Sequence, residues 1–128
     1  MRVITLKQPW ASLVANGYKI YEFRPMNYSH RGKILIHAGK GIDSEAMERV
    51  KKLNLDYPSS RIVAEVEIED VFKVDDEFNK YINGLNSCVY GNKDNRTGYV
   101  WKLKNIKKID SDVSISGKQG IWYIDNYK

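Results

Sequence analysis

Three charged side chains of mixed sign stand between large apolar residues in the stretch Gly17-Tyr18-Lys19-Ile20-Tyr21-Glu22-Phe23-Arg24. A lysine acts as base or nucleophile when burial or a neighbouring cation lowers its pKa, and Arg24 could be that cation. Glu22 would then orient Lys19 or relay its proton. The same groups equally make a recognition pocket, with Arg24 holding a phosphate or base edge and Glu22 accepting from an exocyclic amine. A regular strand would separate them: alternation puts Ile20, Glu22 and Arg24 on one side and Lys19, Tyr21 and Phe23 on the other. Convergence needs an irregular start, which Gly17 permits by adopting positive φ just after a helix. Without it, Glu22 and Arg24 are an exposed pair on a solvated strand, worth at most about 1 kcal/mol.

Other chemistries find less support. His30, His37 and Cys88 are the only soft ligands, with no Cys-x-x-Cys or His-x-x-x-His spacing, so neither a zinc site nor any other metal site is expected. His37, flanked by Ile36 and Ala38, reads as a hydrogen-bonded, half-buried strand residue that can also face a ligand. Gly39-Lys40-Gly41 ahead of a helix lacks the spacing of a nucleotide loop, leaving Lys40 as a local anion contact. No serine sits in a Gly-x-Ser-x-Gly turn, and Cys88 lies in a polar segment without a neighbouring histidine. No cofactor is implied. Trp10, Tyr18, Tyr28, Trp101 and Trp122 are candidate stacking faces for an unpaired base, most of them expected in the core.

The elements that must position these residues follow from periodicity and turn chemistry. Val3 to Leu6 predicts a first strand, Pro9 opens a short helix carrying Trp10, Leu13 and Val14 on one face, and Gly17 closes it. The Gly17 to Arg24 strand ends at Pro25. Lys33 to Ala38 is a third strand; Asp43 caps a helix running to about Leu53, with Ile42 stapled onto Met47. Arg61 to Val71 is the clearest strand, with Ile62, Ala64, Val66 and Ile68 facing one way and Glu65, Glu67 and Glu69 the other. Glu67 is the carboxylate of that row that could reach a barrel cleft. Asp75 to Ile82 makes one or two helical turns, and Gly84 to Gly98 reads as irregular, the least ordered backbone. Tyr99 to Leu103 with Ile106 to Ile109 forms a bent strand, and Gly120 to Ile124 the last. Five or six strands without strict alternation predict a mainly antiparallel α+β domain closing into a small barrel flanked by two or three helices.

At 128 residues the chain predicts one domain, residues 1-128, large enough to bury about two thirds of its unfolded surface. A single cysteine fits a reducing compartment, and no apolar run reaches the roughly 20 residues of a membrane span. The expectation is a cytoplasmic protein with no membrane partner. The net charge of +5 is unevenly placed. Residues 1 to 40 carry seven Lys/Arg against one acid, residues 41 to 98 eight against twelve, and residues 99 to 128 six against three. If the termini pack together, they form one cationic face suited to phosphate.

Gln8-Pro9-Trp10-Ala11-Ser12-Leu13, then Gly17-x-Lys19-x-x-Glu22-x-Arg24, then Arg31-Gly32 leading into Ile34-Leu35-Ile36-His37-Ala38, resembles the ASCH domain, the activating signal cointegrator homology family of the PUA-like fold. The Asp56-Tyr57-Pro58-Ser59 turn and Gly117 to Tyr123 are similar as well. The resemblance implies a β-barrel flanked by helices, with a cleft lined by the Lys19, Glu22 and Arg24 motif. It implies RNA binding, in connection with transcription coactivation or RNA metabolism. One enzymatic branch hydrolyses N4-acetylcytidine with a lysine, a threonine three residues later and a glutamate beyond the following strand. Lys19 matches the lysine, Glu22 stands in the threonine's place, and Ile82 to Asn86 offers no counterpart of the glutamate.

The leading expectation is therefore a domain that binds RNA or a modified nucleoside at Lys19, Glu22 and Arg24, with Lys7, Gln8 and Trp10 on the rim and His37 and Lys40 as further ligand contacts. The alternative is a nucleoside amidohydrolase with Lys19 as nucleophile or base and Glu22 as its partner. A second alternative is a protein-interaction module built on an exposed aromatic patch.

Overall fold

The computed structural model describes Met1–Tyr127. Six strands form one mixed sheet in the order β2-β5-β4-β3-β1-β6. The strands are β1 (Arg2–Gln8), β2 (Tyr21–Arg24), β3 (Gly32–Ile42), β4 (Arg61–Lys73), β5 (Tyr99–Lys108) and β6 (Ile121–Tyr123). The helices are α1 (Trp10–Ala15), α2 (Ser44–Val50), α3 (Asp76–Leu85) and α4 (Ser87–Tyr90), with a single 3-10 turn at Lys51–Leu53. All pairings are antiparallel except β1 with β3, whose parallel register needs the α1–β2 crossover between them. The α+β expectation holds, and the helices are more numerous than the two or three foreseen.

Closure into a barrel does not follow, because the two edge strands, β2 and β6, do not pair. They have only four and three residues and leave a seam between the sheet's ends. The termini do pack together: β6 pairs with β1, and the Met1 amino group donates to the Ile124 carbonyl at 2.8 Å.

Burial explains the order of the strands. Central β1 and β3 are apolar on both faces, as a parallel pair must be. Ile4, Leu6, Ile34 and Ile36 pack under Ala11 and Val14 of α1, while Val3 and Leu35 meet Trp122 and Ile62 on the other side. A second cluster joins Leu13, Tyr21, Val50, Ile82, Val89 and Tyr90, which fixes α2, α3 and α4 over the β2 end. Asp43 caps α2 by accepting from Ala46 N, as its position predicts. Ile42 is exposed rather than stapled. Glu67 lies opposite Lys33 and Lys104 of the neighbouring strands, on the sheet's outer row, so it does not reach a cleft.

The segment between α4 and β5 is held, not loose. Asn79 and Asn83, one turn apart on α3, donate to the Lys93 carbonyl at 2.8 Å each, and Asn83 Oδ1 accepts from Lys93 N. Polar, turn-rich composition predicts irregular backbone from Gly84 to Gly98; instead the end of α3 and all of α4 fall there, and beyond them two amide side chains replace the missing backbone partners.

His37 is fully buried on β3, and its hydrogen bonds select one tautomer of the neutral ring. Ile115 O can only accept, so Nε2 carries the hydrogen of that 2.6 Å bond. Trp122 Nε1 can only donate and gives its hydrogen to Thr5 Oγ1 at 3.1 Å. The threonine hydroxyl is then free to donate to Nδ1 at 3.2 Å. Trp122, Thr5, His37 and Ile115 thus form a directed chain that ties β6, β1 and β3 to the loop before β6.

Burial lowers the His37 pKa below its ordinary value, opposed by the Ile115 bond. The unfolded chain therefore binds the extra proton more readily, and stability falls as pH drops through about 6.5. Chemical denaturation at pH 7.5 and 5.5 should show this loss, and His37→Phe should flatten that part of the profile. Thr5→Val orphans both neighbours and should cost about 1–3 kcal/mol.

Candidate functional site

The site begins where α1 stops. Gly17 takes φ 81°, Gly17 N donates to Val14 O, and Tyr18 N donates to Leu13 O. This pair of bonds is a Schellman ending, which a glycine makes at little cost. Lys19 N also donates to Leu13 O at 3.1 Å, so the chain doubles back under the helix before β2 starts at Tyr21. Lys19 is thereby freed from strand alternation and can approach Glu22.

Strand β2 pairs only with β5, so Tyr21 and Phe23 turn backbone groups towards the sheet's open edge. Side chains take the place of a neighbouring strand there. Lys19 Nζ donates to Tyr21 O at 2.6 Å and to Glu22 Oε1 at 3.2 Å. Glu22 Oε1 also accepts from Phe23 N at 2.9 Å, and the Tyr90 hydroxyl accepts from Ile20 N and Tyr21 N. Lys19 is 3% and Glu22 8% exposed, so this is a buried ion pair whose remaining hydrogen bonds go to backbone. The rings of Trp10, Phe23 and Tyr90 surround the ammonium at 5.5 to 5.9 Å from their centroids.

The pair forms the floor of a cleft of about 380 Å³. Trp10, Phe23 and Tyr90 supply apolar walls, and Asp43, Lys93, Asn95, Arg96 and Thr97 complete it. Glu22 Oε2 makes no hydrogen bond among the described residues and keeps contact with solvent, so one carboxylate oxygen is available to a ligand. Arg96 was not expected. It follows a turn-rich stretch without a motif, and the α3 asparagines with the Tyr90 and Gly91 carbonyls bring it to the cleft. The aromatic walls and convergent polar groups suit a flat heterocycle.

A longer groove of about 640 Å³ leads away along the seam. It shares Trp10, Glu22 and Phe23 with the cleft and carries Lys7, Arg24 and Lys118. Arg24 forms no ion pair among the described residues.

The remaining expected residues lie elsewhere. Gln8 is 2% exposed, with its amide spent on Ser12 and the Pro58 carbonyl, so it braces α1 instead of forming a rim. His37 is committed to its relay. With exposed Lys40 it lines a separate hollow beside Gly117. Among the stacking candidates Trp101 and Trp122 are core, Tyr28 stacks on Trp101, and Trp10 alone lines the cleft. Among the described residues no three His, Cys, Asp or Glu side chains converge on a point that could hold a metal ion.

Burial lowers the Lys19 pKa, the Glu22 charge and hydrogen bond oppose that shift, and Arg24 adds to it. Carbon-detected NMR titration of the lysine ε-methylenes should place Lys19 below the other lysines. Glu22→Gln should lower it further and Arg24→Ala should raise it. Titration of Lys19 with the bulk lysines would contradict the burial on which the site rests.

The architecture is matched by solved structures. The crystal structure of ASCH from Zymomonas mobilis superposes with a TM-score of 0.61 at 13% identity, covering 97% of this chain and 87% of that one. A serine-to-alanine mutant of the same protein gives a TM-score of 0.59 at 16% identity, covering 98% and 89%. At such identities the likeness is one of fold. No curated protein sequence matches the chain. The family model for the ASCH domain matches residues 4–112, and the chain belongs to the ASCH domain family.

Proposed function

We propose that this protein binds RNA or a modified nucleoside, with one base held over the Lys19–Glu22 pair and the chain's phosphates following the seam. The observation that carries this reading is the open oxygen of Glu22 at the floor of an aromatic-walled cleft that continues into a cationic groove. Glu22 Oε2 accepts from an exocyclic amine, Trp10 and Phe23 flank the ring, and Lys7, Arg24 and Lys118 meet phosphate oxygens. Every one of these groups has a task that suits a nucleotide chain.

One observation favours hydrolysis as the second reading. The lowered Lys19 pKa makes a neutral amine easier to reach, as attack on the amide of an acylated base such as N4-acetylcytidine requires. Against turnover, the amine is held by Tyr21 O and Glu22 Oε1. Around Ile82 to Asn86 the chain offers asparagine and a guanidinium rather than a carboxylate. The binding reading uses the arrangement as it stands, whereas hydrolysis requires Lys19 to leave both partners. For the protein-interaction alternative, the exposed aromatic of α3 is Tyr81, which lines a separate hollow with Phe78 and Phe72.

The test is fluorescence anisotropy of a short labelled single-stranded RNA with wild type and Lys19→Ala/Arg24→Ala, at matched folding stability and across a salt series. Wild type should bind with micromolar Kd, and three phosphate contacts should give a log–log salt slope of about −2. The double variant should lose at least about tenfold. Equal binding by both proteins, or none, would remove RNA from the cleft; release of acetate from N4-acetylcytidine would then favour the hydrolase.

A further inference from the structure

Arg96 is a partly buried cation held entirely by neutral acceptors. One terminal nitrogen donates to Asn79 Oδ1 at 2.8 Å and to Asn83 Oδ1 at 2.7 Å. The other donates to Tyr90 O at 3.0 Å and lies 3.4 Å from Gly91 O. These four contacts fix the guanidinium plane on the cleft wall, with its carbon 5.6 Å from the Phe23 ring centroid. Among the described residues it has no carboxylate partner. The remaining donor, Nε–H, has no acceptor there and keeps contact with solvent.

A rigid cation with a spare donor and no counter-ion is an arrangement that a protein gains little from structurally. Neutral amides would tether the loop without desolvating a charge. Burial in fact works against the charged form of Arg96. An anion in the cleft would supply the missing counter-charge, and Lys93 on the same wall adds a second cation. Glu22 lines the same cleft, and its partner Lys19 places Nζ 5.9 Å from the Phe23 centroid that Arg96 also approaches. One cleft therefore offers both an acceptor for an amine and a fixed donor for an anion.

Resting on the nucleotide reading above, we infer that Arg96 forms a phosphate subsite within the cleft, so that the preferred ligand is a nucleotide bearing a phosphate next to the bound base rather than a free nucleoside. The Asn79–Asn83 pair acts by positioning: it holds the guanidinium plane so that Nε–H and the charge face the opening. The phosphate could be the terminal group of a mononucleotide or a diester within a strand, and both present the same oxygens.

The experiment is isothermal titration calorimetry with the four ribonucleosides, their 5′- and 3′-monophosphates, and the corresponding dinucleotides. Wild type should bind a monophosphate at least tenfold more tightly than its nucleoside, and Arg96→Gln should erase that preference. A terminal-phosphate source is shown if monophosphates match dinucleotides, and a diester source if only dinucleotides gain; either supports the subsite. Lys108→Gln, outside the cleft, should change nothing. Since Arg96→Gln could unfasten the loop, the wild-type arginine Nε–H resonances are followed by NMR as inorganic phosphate is added. The Arg96 signal should shift selectively. Nucleosides that bind as well as their phosphates, or a preference that survives in a folded Arg96→Gln, would overturn the subsite and leave the base pocket standing. If neither nucleosides nor nucleotides bind, the nucleotide reading falls; a selective Arg96 shift with phosphate would still support the anion site, and its absence would end both.

Discussion

An edge strand exposes backbone donors and acceptors that must find partners, and in this protein the whole site grows from how β2 meets that requirement. The usual remedies are a covering element or a charged side chain pointing to solvent. Here Lys19, Glu22 and the Tyr90 hydroxyl take the outward groups of Ile20, Tyr21 and Phe23. The arrangement is local in sequence but depends on distant structure, since Tyr90 comes from α4 and the aromatic cover from α1 and β2. Removing one member would leave a buried charge or an orphaned backbone group, each costing about 1–3 kcal/mol or more.

Because the edge is satisfied by side chains and not by β6, the sheet stays open, and the opening becomes useful space. The cleft over Lys19 and the groove along the seam share Trp10, Glu22 and Phe23, so an acceptor, aromatic walls and a row of cations lie on one continuous surface. The basic character of the two chain ends, which β1 and β6 bring together, supplies Lys7 and Lys118 to that surface. The His37 relay does no work there. It joins β1, which carries Lys7, to β3, β6 and the loop that carries Lys118, and its burial makes it a structural element with a pH-dependent cost.

Much of this was legible in the sequence wherever local pattern decided the outcome. The Ala64, Val66 and Ile68 alternation of β4, the Asp43 cap and the Gly17 reversal each follow from a few adjacent residues, and the Lys19–Glu22 convergence follows from Gly17; Ile62, expected on the same face, packs on the other side because β4 bulges between it and Ala64. Family resemblance pointed to the same residues by another route. What was not legible depended on tertiary contacts. Arg96 is in the cleft because Asn79 and Asn83, 17 and 13 residues before it, fasten its side chain. Gln8 and His37 looked available as polar residues near the motif, but burial commits both to internal hydrogen bonds. Barrel closure failed for a similar reason: strand count alone does not reveal that side chains, and not β6, take the outward groups of β2.

The central claim is that the capped edge of β2 is also the floor of a nucleotide-binding cleft. Amide chemical-shift mapping of 15N-labelled protein with an equimolar mixture of the four ribonucleoside 5′-monophosphates tests this most directly. The account predicts the largest shifts at Phe23, whose amide is held by Glu22, and at Arg96 and Thr97 on the facing wall. Shifts confined to the separate cavity lined by Tyr57, Arg61 and Lys108, with the Phe23 amide unmoved, would contradict it.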